Sequence, residues 1–246
     1  MSQTIDGTVT LASRSIFPFG AIELFFLDET GVRSLKARDA LNGAFVDDIG
    51  TAIDTVVRAQ LDTTPFSVVQ RAVATIEPKD GRYWLALGNR IYVLSYFPKA
   101  SISAWTYFEP GFSVDDFARS YNQMYVRSGD QIYLYGGASG NDYPQTGEMP
   151  ALVELPFLTE SPPVLNQLEG IDAATTNEWQ IDVLPDPNSE VETVRAGTID
   201  GITYSDTDIA ADCRFSHIAL KLQCFKAGAA KIANITIRHD GAEPAG

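Results

Sequence analysis

Two segments of the chain, residues 82–94 and 123–135, carry the same hairpin pattern and restrict the possible folds more than any other feature. In both, an apolar run leads to a Gly-Asn or Gly-Asp pair, and an Ile-Tyr pair follows. Gly88 aligns with Gly129, so the offset is 41 residues. A repeat of about 40–50 residues built from strands and tight turns is typical of β-propeller blades. The repeat therefore predicts an all-β scaffold and favours an assembly protein over a free-standing enzyme.

The composition is that of a folded chain of one large or two modest domains. The 246 residues are 45% hydrophobic, and 13 Phe and 10 Tyr cluster in short alternating runs that favour strands. Cys213 and Cys224 lack metal-binding spacing, so we expect free thiols in a reducing compartment, although a disulfide across the intervening hairpin stays open. The sequence predicts neither a secretory signal nor a transmembrane helix.

The chain is strongly acidic, with a formal net charge of −14 and an isoelectric point near 4.4. Binding to a DNA backbone through counterion release needs clustered Lys and Arg, which this chain lacks. The acidity has two interpretations. It keeps the protein soluble, or it forms a surface that repels a polyanion and lets it slide past.

The clearest predicted blade spans residues 66–110, with four strands at 67–77, 82–87, 90–97 and 101–108. A second copy begins near Val114 and ends after Tyr135. A third hairpin, within residues 22–35, places Gly31 where a positive φ is needed. One helix is predicted as an insertion near 45–59, because four apolar residues share one helical face: Ile49, Ile53, Val56 and Val57.

Beyond residue 150 the pattern changes, so the sequence predicts a blade region at 1–150 and a β-sandwich-like region at 151–246. The glycine-rich stretch at 136–147 indicates a linker, since no Gly-Lys-Ser/Thr follows it. Alternating strands are predicted at 152–158, where Pro156 indicates a sheet edge, and at 179–184, 215–222 and 231–238. The inward residues of the last two strands are predicted to be Ile218, Leu220, Leu222, Ala233, Ile235 and Ile237.

The sequence contains few residues in patterns that are typical of catalytic sites. A Ser-His-Asp triad built on His217 with Ser216 or Ser205 lacks a nucleophile elbow, and His239 lies near the end of the chain. We therefore predict no catalytic, cofactor-binding or metal-binding residue and no enzyme activity. Three carboxylates in 204–212 are predicted to form a solvated acidic loop, with a weak divalent-ion site as the alternative. They are Asp206, Asp208 and Asp212.

Paired carboxylates for glycoside hydrolysis are the main enzymatic alternative, because many glycosidases are propellers. The candidates are Glu109, Asp115, Asp116 and Asp130. Aromatic side chains that could stack on sugars, or equally fill the core, are Tyr83, Trp84, Tyr107 and Tyr125.

Residues 24–35, 81–96 and 103–107 together resemble the tail nozzle proteins (tail hub or packaged-DNA stabilisation proteins) of short-tailed bacteriophages. The ending, residues 217–222 and 230–237, is similar to the closing strands of that family. The resemblance implies a virion protein, assembled in the host cytoplasm, that forms a ring beneath the portal and adaptor, usually with sixfold symmetry. It implies a channel for outgoing DNA, retention of the packaged genome, and contacts with tail fibres or a needle. It implies no catalytic residues.

The family pattern and this chain differ in length. Nozzle proteins are usually considerably longer, and the resemblance implies that this chain corresponds to their C-terminal portion. About three blades fit before residue 150, whereas a closed propeller usually needs at least four. We therefore expect a companion chain to supply the missing blades. The alternative function is a carbohydrate-binding or glycosidase-like propeller acting as a receptor-binding tail protein.

Overall fold

The computed structural model describes eleven stretches of the chain: residues 10–20, 23–37, 44–47, 49–97, 102–136, 150–159, 164–189, 193–200, 205–208, 213–226 and 229–241. The contacts divide the chain into two compact units, Met1–Ala138 and Ser139–Gly246, called here the N-terminal and the C-terminal unit. The predicted boundary near residue 150 stays a prediction, since residues 137–149 lie outside the described part. No helix among the described residues is long and apolar enough to span a membrane.

The N-terminal unit contains three antiparallel sheets, each an up-and-down meander. The first sheet consists of β1 (Phe17–Phe19), β2 (Glu23–Asp28), β3 (Gly31–Ala37) and β4 (Ala44–Asp47). The middle sheet consists of β5 (Val73–Ile76), β6 (Tyr83–Leu87), β7 (Arg90–Phe97) and β8 (Ile102–Phe108). The third sheet consists of β9 (Asp116–Ser120), β10 (Gln123–Ser128) and β11 (Gln131–Tyr135). Consecutive strands pair in each case, and the predicted all-β class is confirmed.

The repeated hairpin is present at both predicted places. β6 and β7 close through the pair Leu87–Arg90, and β10 and β11 close through Ser128–Gln131. Each two-residue loop begins with a glycine in the left-handed region, Gly88 at φ 61° and Gly129 at φ 56°. A side chain is strained in that conformation, so glycine fixes the turn and thereby the register of both hairpins.

The helical segment differs from its prediction. A 3₁₀ turn at Ser13–Ser15 precedes β1, helix α1 spans Asp54–Thr63, and a short helix α2 spans Phe66–Val69. Ile49 therefore precedes α1 instead of lying on its face, because residues 50–53 form the turn that leads into it. The strand predicted at 67–77 is also shorter, since residues 67–69 belong to α2 and residues 70–72 to the turn that follows it.

The C-terminal unit is a β-sandwich of two antiparallel sheets. One sheet has the order β12–β19–β15–β16, with β13 also paired to β19. Its strands are β12 (Ala151–Glu154), β13 (Leu158–Thr159), β15 (Glu178–Leu184), β16 (Val194–Asp200) and β19 (His217–Cys224). The other sheet has β14 (Asn166–Thr176) paired with β17 (Ser205–Asp208), β18 (Arg214–Phe215) and β20 (Lys231–Gly241).

The sandwich core follows the predicted alternation except in β20. Ile218, Leu220 and Leu222 are buried as expected. Ala233, predicted to point inward, is exposed, and Ile232 packs against the core in its place. The reason is a β-bulge: Ala174 pairs with Asn234 and Thr175 with Ile232, so Ala233 is the extra residue that offsets the alternation.

Both cysteines are buried, and neither forms a disulfide. Cys213 precedes β18 and Cys224 ends β19, so the length of β19 lies between them. At about 3.3 Å per residue, eight extended residues separate the two thiols far beyond disulfide reach.

Candidate functional site

The three sheets of the N-terminal unit stack face to face, with the middle sheet covered on both sides. Tyr83, Leu85, Tyr92 and Leu94 form the core with the first sheet, where the Phe25 ring meets the Tyr83 ring edge-on at 5.1 Å. The opposite face of the same two strands forms a second core with the third sheet. It consists of Trp84, Ala86, Ile91 and Val93 together with Met124 and Val126.

The contact between the middle and third sheets is aromatic. Trp84 packs edge-on against Phe117 and Tyr135, with ring centroids 6.0 and 4.7 Å away. The Arg82 guanidinium also donates to the Tyr135 hydroxyl at 3.3 Å. The third sheet is therefore fixed on the middle sheet through one of its two faces.

The other face of the third sheet is open to solvent, and we call it the uncovered face. It carries Tyr125, Arg127, Ile132 and Leu134 from β10 and β11. Ile132 is 71% exposed and Leu134 is 43% exposed, although both are large aliphatic residues in the centre of a hairpin. An apolar sheet face with this exposure is typical of a surface that packs against another layer.

A buried ionic network holds the β2–β3 turn of the first sheet to the start of α1. Asp28 accepts hydrogen bonds from the backbone amides of Thr30 and Gly31, and Arg33 bonds Asp54 at 3.0 Å with both side chains about nine-tenths buried. A Cβ on Gly31 would lie 1.9 Å from the Asp54 carboxylate. Glycine is therefore required at this position, because it allows the close approach of the Asp54 carboxylate. The network has a structural role, since every one of these polar groups has a partner within it.

The tyrosines of the middle sheet are buried between layers. Burial strongly raises the pKa of the Tyr83 hydroxyl, which donates to the carbonyl of Ser15. Burial also raises the pKa of Tyr92, although the neighbouring Arg90 guanidinium opposes that shift. Tyr92 donates to the Gln60 side chain of α1. These hydroxyls therefore act as neutral donors that position the helix and the N-terminal segment.

The β9–β10 turn contains a strained tyrosine. Tyr121 has φ 52°, in the left-handed region that favours glycine, and its side chain is 98% exposed. Nothing in the sequence pattern singled out this residue.

Three of the four candidate glycosidase carboxylates make a structural contact. Asp115 accepts the backbone amide of Gly129 at 2.6 Å, Asp116 pairs with Arg14 at 2.5 Å, and Glu109 pairs with Arg90. Asp130 lies in the exposed β10–β11 turn. Contacts of this kind stabilise turns or form surface ion pairs, so they give these carboxylates structural roles.

The candidate sugar-stacking aromatics divide into two groups. Tyr83 and Trp84 are fully buried between sheets and are inaccessible to a ligand. Tyr107 is 43% exposed, and Tyr125 is half-buried on the uncovered face.

The histidines lie in the C-terminal unit. His217 begins β19, its Nδ1 lies 3.0 Å from the Ser216 hydroxyl, and both line a shallow cleft of about 470 Å³ that Asp186 also lines. Asp186 accepts the backbone amide of Asn188 and so closes its own turn. His239 packs edge-on against Phe215. The pair Ser216–His217 therefore exists, but its environment offers no third group hydrogen-bonded to the imidazole among the contacts of the described residues.

The predicted acidic loop is partly a strand. Asp206 and Asp208 belong to β17, which pairs with β14, and Asp212 lies outside the described residues, as does most of the glycine-rich stretch. Within the described stretches, no cluster of three or more His, Cys, Asp or Glu side chains has the arrangement of a metal site.

The feature that sequence reasoning missed is the uncovered face. The sequence repeat could have indicated this face, because residues that are buried in one copy of the hairpin align with apolar residues in the other copy. No protein-family model matches the chain, and no curated protein matches it.

Proposed function

We propose that the chain is a non-enzymatic structural component of a bacteriophage tail nozzle, forming part of the DNA-ejection channel and helping to retain packaged DNA. The observation that supports it most is the stack of three blade-like sheets that ends in an uncovered apolar face. Such a stack is a scaffold that needs further sheets to complete it. We infer the tail nozzle as the location of this scaffold from the resemblance of residues 24–35, 81–96 and 103–107 to nozzle proteins.

The charge of the chain agrees with this role. A net charge of −14 disfavours binding to phosphate, and a channel wall must let DNA pass without retaining it. The proposed partners are further copies of the chain in a ring, usually sixfold in the family it resembles, together with the adaptor, a companion nozzle chain, and tail fibres or a needle. Contact with DNA is transient and non-specific, and the location is the virion.

The carbohydrate-acting alternative has less support. Three of its four candidate carboxylates are engaged in ion pairs or turn contacts, and two of its four aromatics are buried. The nozzle role requires none of these residues to be free.

The test uses the phage that encodes the chain. Purified virions are analysed by mass spectrometry, and a nonsense mutant grown without suppression is compared with the same mutant complemented in trans. We expect the chain in the virions, and we expect particles lacking it to retain less DNase-protected DNA. A chain absent from virions, or mutant particles with full DNA content and normal ejection, would contradict the proposal.

A matched variant separates the two functions. Complementation with Glu109→Gln removes a candidate glycosidase carboxylate while keeping the size of the side chain. The nozzle role predicts normal particles and normal host attachment, whereas the glycosidase role predicts loss of attachment or of glycan cleavage.

A further inference from the structure

The third sheet has one strand fewer than the other two sheets of the N-terminal unit. The first sheet continues from β3 to β4 and the middle sheet continues from β7 to β8, whereas the third sheet ends at β11. Among the described strands, β11 pairs with β10 alone. One long edge of β11 is therefore open, at the position that a fourth strand occupies in each of the other two sheets.

The backbone groups at this open edge belong to Ile132 and Leu134. In a hairpin with a two-residue loop, the closing pair exchanges both backbone hydrogen bonds, and such pairs alternate with pairs whose groups point outward. The closing pair here is Ser128–Gln131, so Ile132 and Leu134 direct their amides and carbonyls away from β10. Among the contacts of the described residues, neither makes a backbone hydrogen bond on that side. Unpaired groups of this kind are a template for a further strand.

The same two residues also expose apolar side chains. Ile132 is 71% exposed and Leu134 is 43% exposed, whereas Ile91 and Val93, their equivalents 41 residues earlier, are at most 3% exposed. Part of the cover over Ile91 and Val93 comes from β8, which places a cross-strand neighbour beside each of them. In β11, the hydrogen-bond partners and the side-chain cover are thus missing at the same two positions.

We propose that β11 receives a fourth, antiparallel strand from a different polypeptide. In strand addition to a sheet edge, backbone hydrogen bonds supply affinity and alternate side chains supply specificity. A second copy of the chain is a poorer donor, because each of its described strands already has a place in a sheet. The sequence directly after Gly136 is also a poorer donor, because Gly137, Gly140, Pro144 and Gly147 interrupt it.

The middle sheet indicates the chemistry of the donor strand. β7 and β11 carry similar residues, Ile-Tyr-Val-Leu at 91–94 and Ile-Tyr-Leu-Tyr at 132–135. The strand that pairs with residues 91–94 is β8, which contains no charged residue and carries Trp105, Tyr107 and Phe108. We therefore expect an extended, uncharged donor segment that is rich in aromatic residues.

Amide hydrogen exchange of the full chain, followed by NMR, tests the proposal with a synthetic peptide of residues 101–110, which contains β8. We expect the amides of Ile132 and Leu134 to exchange without protection in the chain alone. Peptide at about ten times its Kd should slow the exchange of both amides about tenfold, because the bound strand accepts these two donors.

Two matched proline variants separate strand addition from other modes of binding. Leu134→Pro removes an outward amide while keeping the bonds to β10, and it should weaken peptide binding by about tenfold or more. Leu152→Pro is the control, because Leu152 is 51% exposed on the edge strand β12. The bond from the Leu155 amide to the Leu220 carbonyl places the Leu152 amide outward as well. This control should bind the peptide like the wild type, and circular dichroism checks that both variants fold.

A change in the peptide gives a test that does not depend on the folding of a variant. In the register of β7 and β8, the amides of Thr106 and Phe108 face the neighbouring edge and the amide of Tyr107 faces away. A peptide N-methylated at Thr106 and Phe108 should therefore give no protection. A peptide N-methylated at Tyr107 should protect the β11 amides like the unmodified peptide.

Three outcomes overturn the proposal. They are protection of the Ile132 and Leu134 amides in the chain alone, no protection of these amides at about 1 mM peptide, and binding that survives both Leu134→Pro and the double N-methylation. The inference deepens the proposed function and rests on it for locating the donor strand in a companion nozzle chain. A chain that is present in virions but binds no peptide at β11 overturns this inference alone. Peptide binding at β11 by a chain that is absent from virions overturns the proposed function and leaves the strand-accepting edge.

Discussion

The middle and third sheets contain the same hairpin in two different environments. Both have a glycine-initiated two-residue turn and the same strand register, yet β7 is buried from Ile91 to Leu94 while the equivalent strand β11 is mostly exposed. The difference arises from layering, since the middle sheet lies between two others and the third sheet has a neighbour on one side. The local sequence pattern therefore sets the hairpin, whereas the burial of its side chains depends on which sheets stack against it.

The largest expected effect concerns a matched pair of aromatic residues. Trp84 and Tyr125 occupy equivalent positions, 41 residues apart, and Trp84 is 1% exposed. Trp84→Ala should lower the free energy of unfolding by about 3–5 kcal/mol, because it opens a cavity between two layers. Tyr125→Ala should cost about 0.5 kcal/mol or less in the monomer. Urea denaturation of dilute protein measures both, and equal losses would show that the two layers do not differ as described.

A smaller effect is expected at the β5–β6 connection. The Glu77 carboxylate is nearly inaccessible and accepts the amides of Lys79 and Asp80 at 2.7 and 2.9 Å. Glu77→Ala leaves these donors and Arg82 without that acceptor and should cost about 1–3 kcal/mol. By strand register the equivalent position in the third sheet is Ser120, which is exposed, so Ser120→Ala should be close to neutral. Thermal denaturation measures both, and a neutral Glu77→Ala would contradict the proposed turn.

Alkaline pH should weaken the middle sheet through Tyr83. Its pKa is raised above the ordinary 10.0 by burial, so above pH 10 the unfolded chain ionises at this residue while the folded chain does not. The contribution of neutral Tyr83 is complete below pH 10 and declines above it by about 1.4 kcal/mol per pH unit. Unfolding at pH 9 to 11 measures the slope. Tyr83→Phe should reduce it, and an unchanged slope would be inconsistent with burial of the hydroxyl.

The smallest effects concern the turns. Gly88→Ala and Gly129→Ala should each cost about 1 kcal/mol, because both glycines have positive φ and a Cβ meets only ordinary contacts or none. Tyr121→Gly should stabilise the chain by about 0.5–1 kcal/mol, since it relieves a left-handed backbone. Chemical denaturation of the three variants tests whether the two repeated turns are equivalent. A large difference between the two alanine variants would contradict that equivalence.

Much of the fold was predictable because it depends on local pattern. The two hairpins, their glycine turns and the alternation of β15 and β19 follow from residues a few positions apart. The start of α1 was less predictable: Ile49 fits the helical period, but the turn at Gly50 delays the helix to Asp54. The inward orientation predicted for Ala233 was wrong, because a β-bulge depends on how a strand pairs with its partner. The alternation within one strand carries no information about that pairing.

The candidate sites likewise combine features that the local sequence indicates with features that depend on tertiary contacts. The sequence supplied carboxylates and aromatics in plausible numbers, but it did not show that Asp116 would pair with Arg14, about a hundred residues away, or that Trp84 would be enclosed between layers. Such contacts join segments far apart in the chain and are decided by stacking of sheets.

The all-β class, the repeated hairpin and the acidic charge follow from the sequence alone, because strand period, turn glycines and net charge are local or additive properties. Tertiary packing, in contrast, sets which copy of the hairpin is enclosed and which keeps Ile132 and Leu134 in solvent. The physical reason is that burial is a property of a pair of surfaces. Two equivalent hairpins acquire different exposures when one has two neighbouring layers and the other has one.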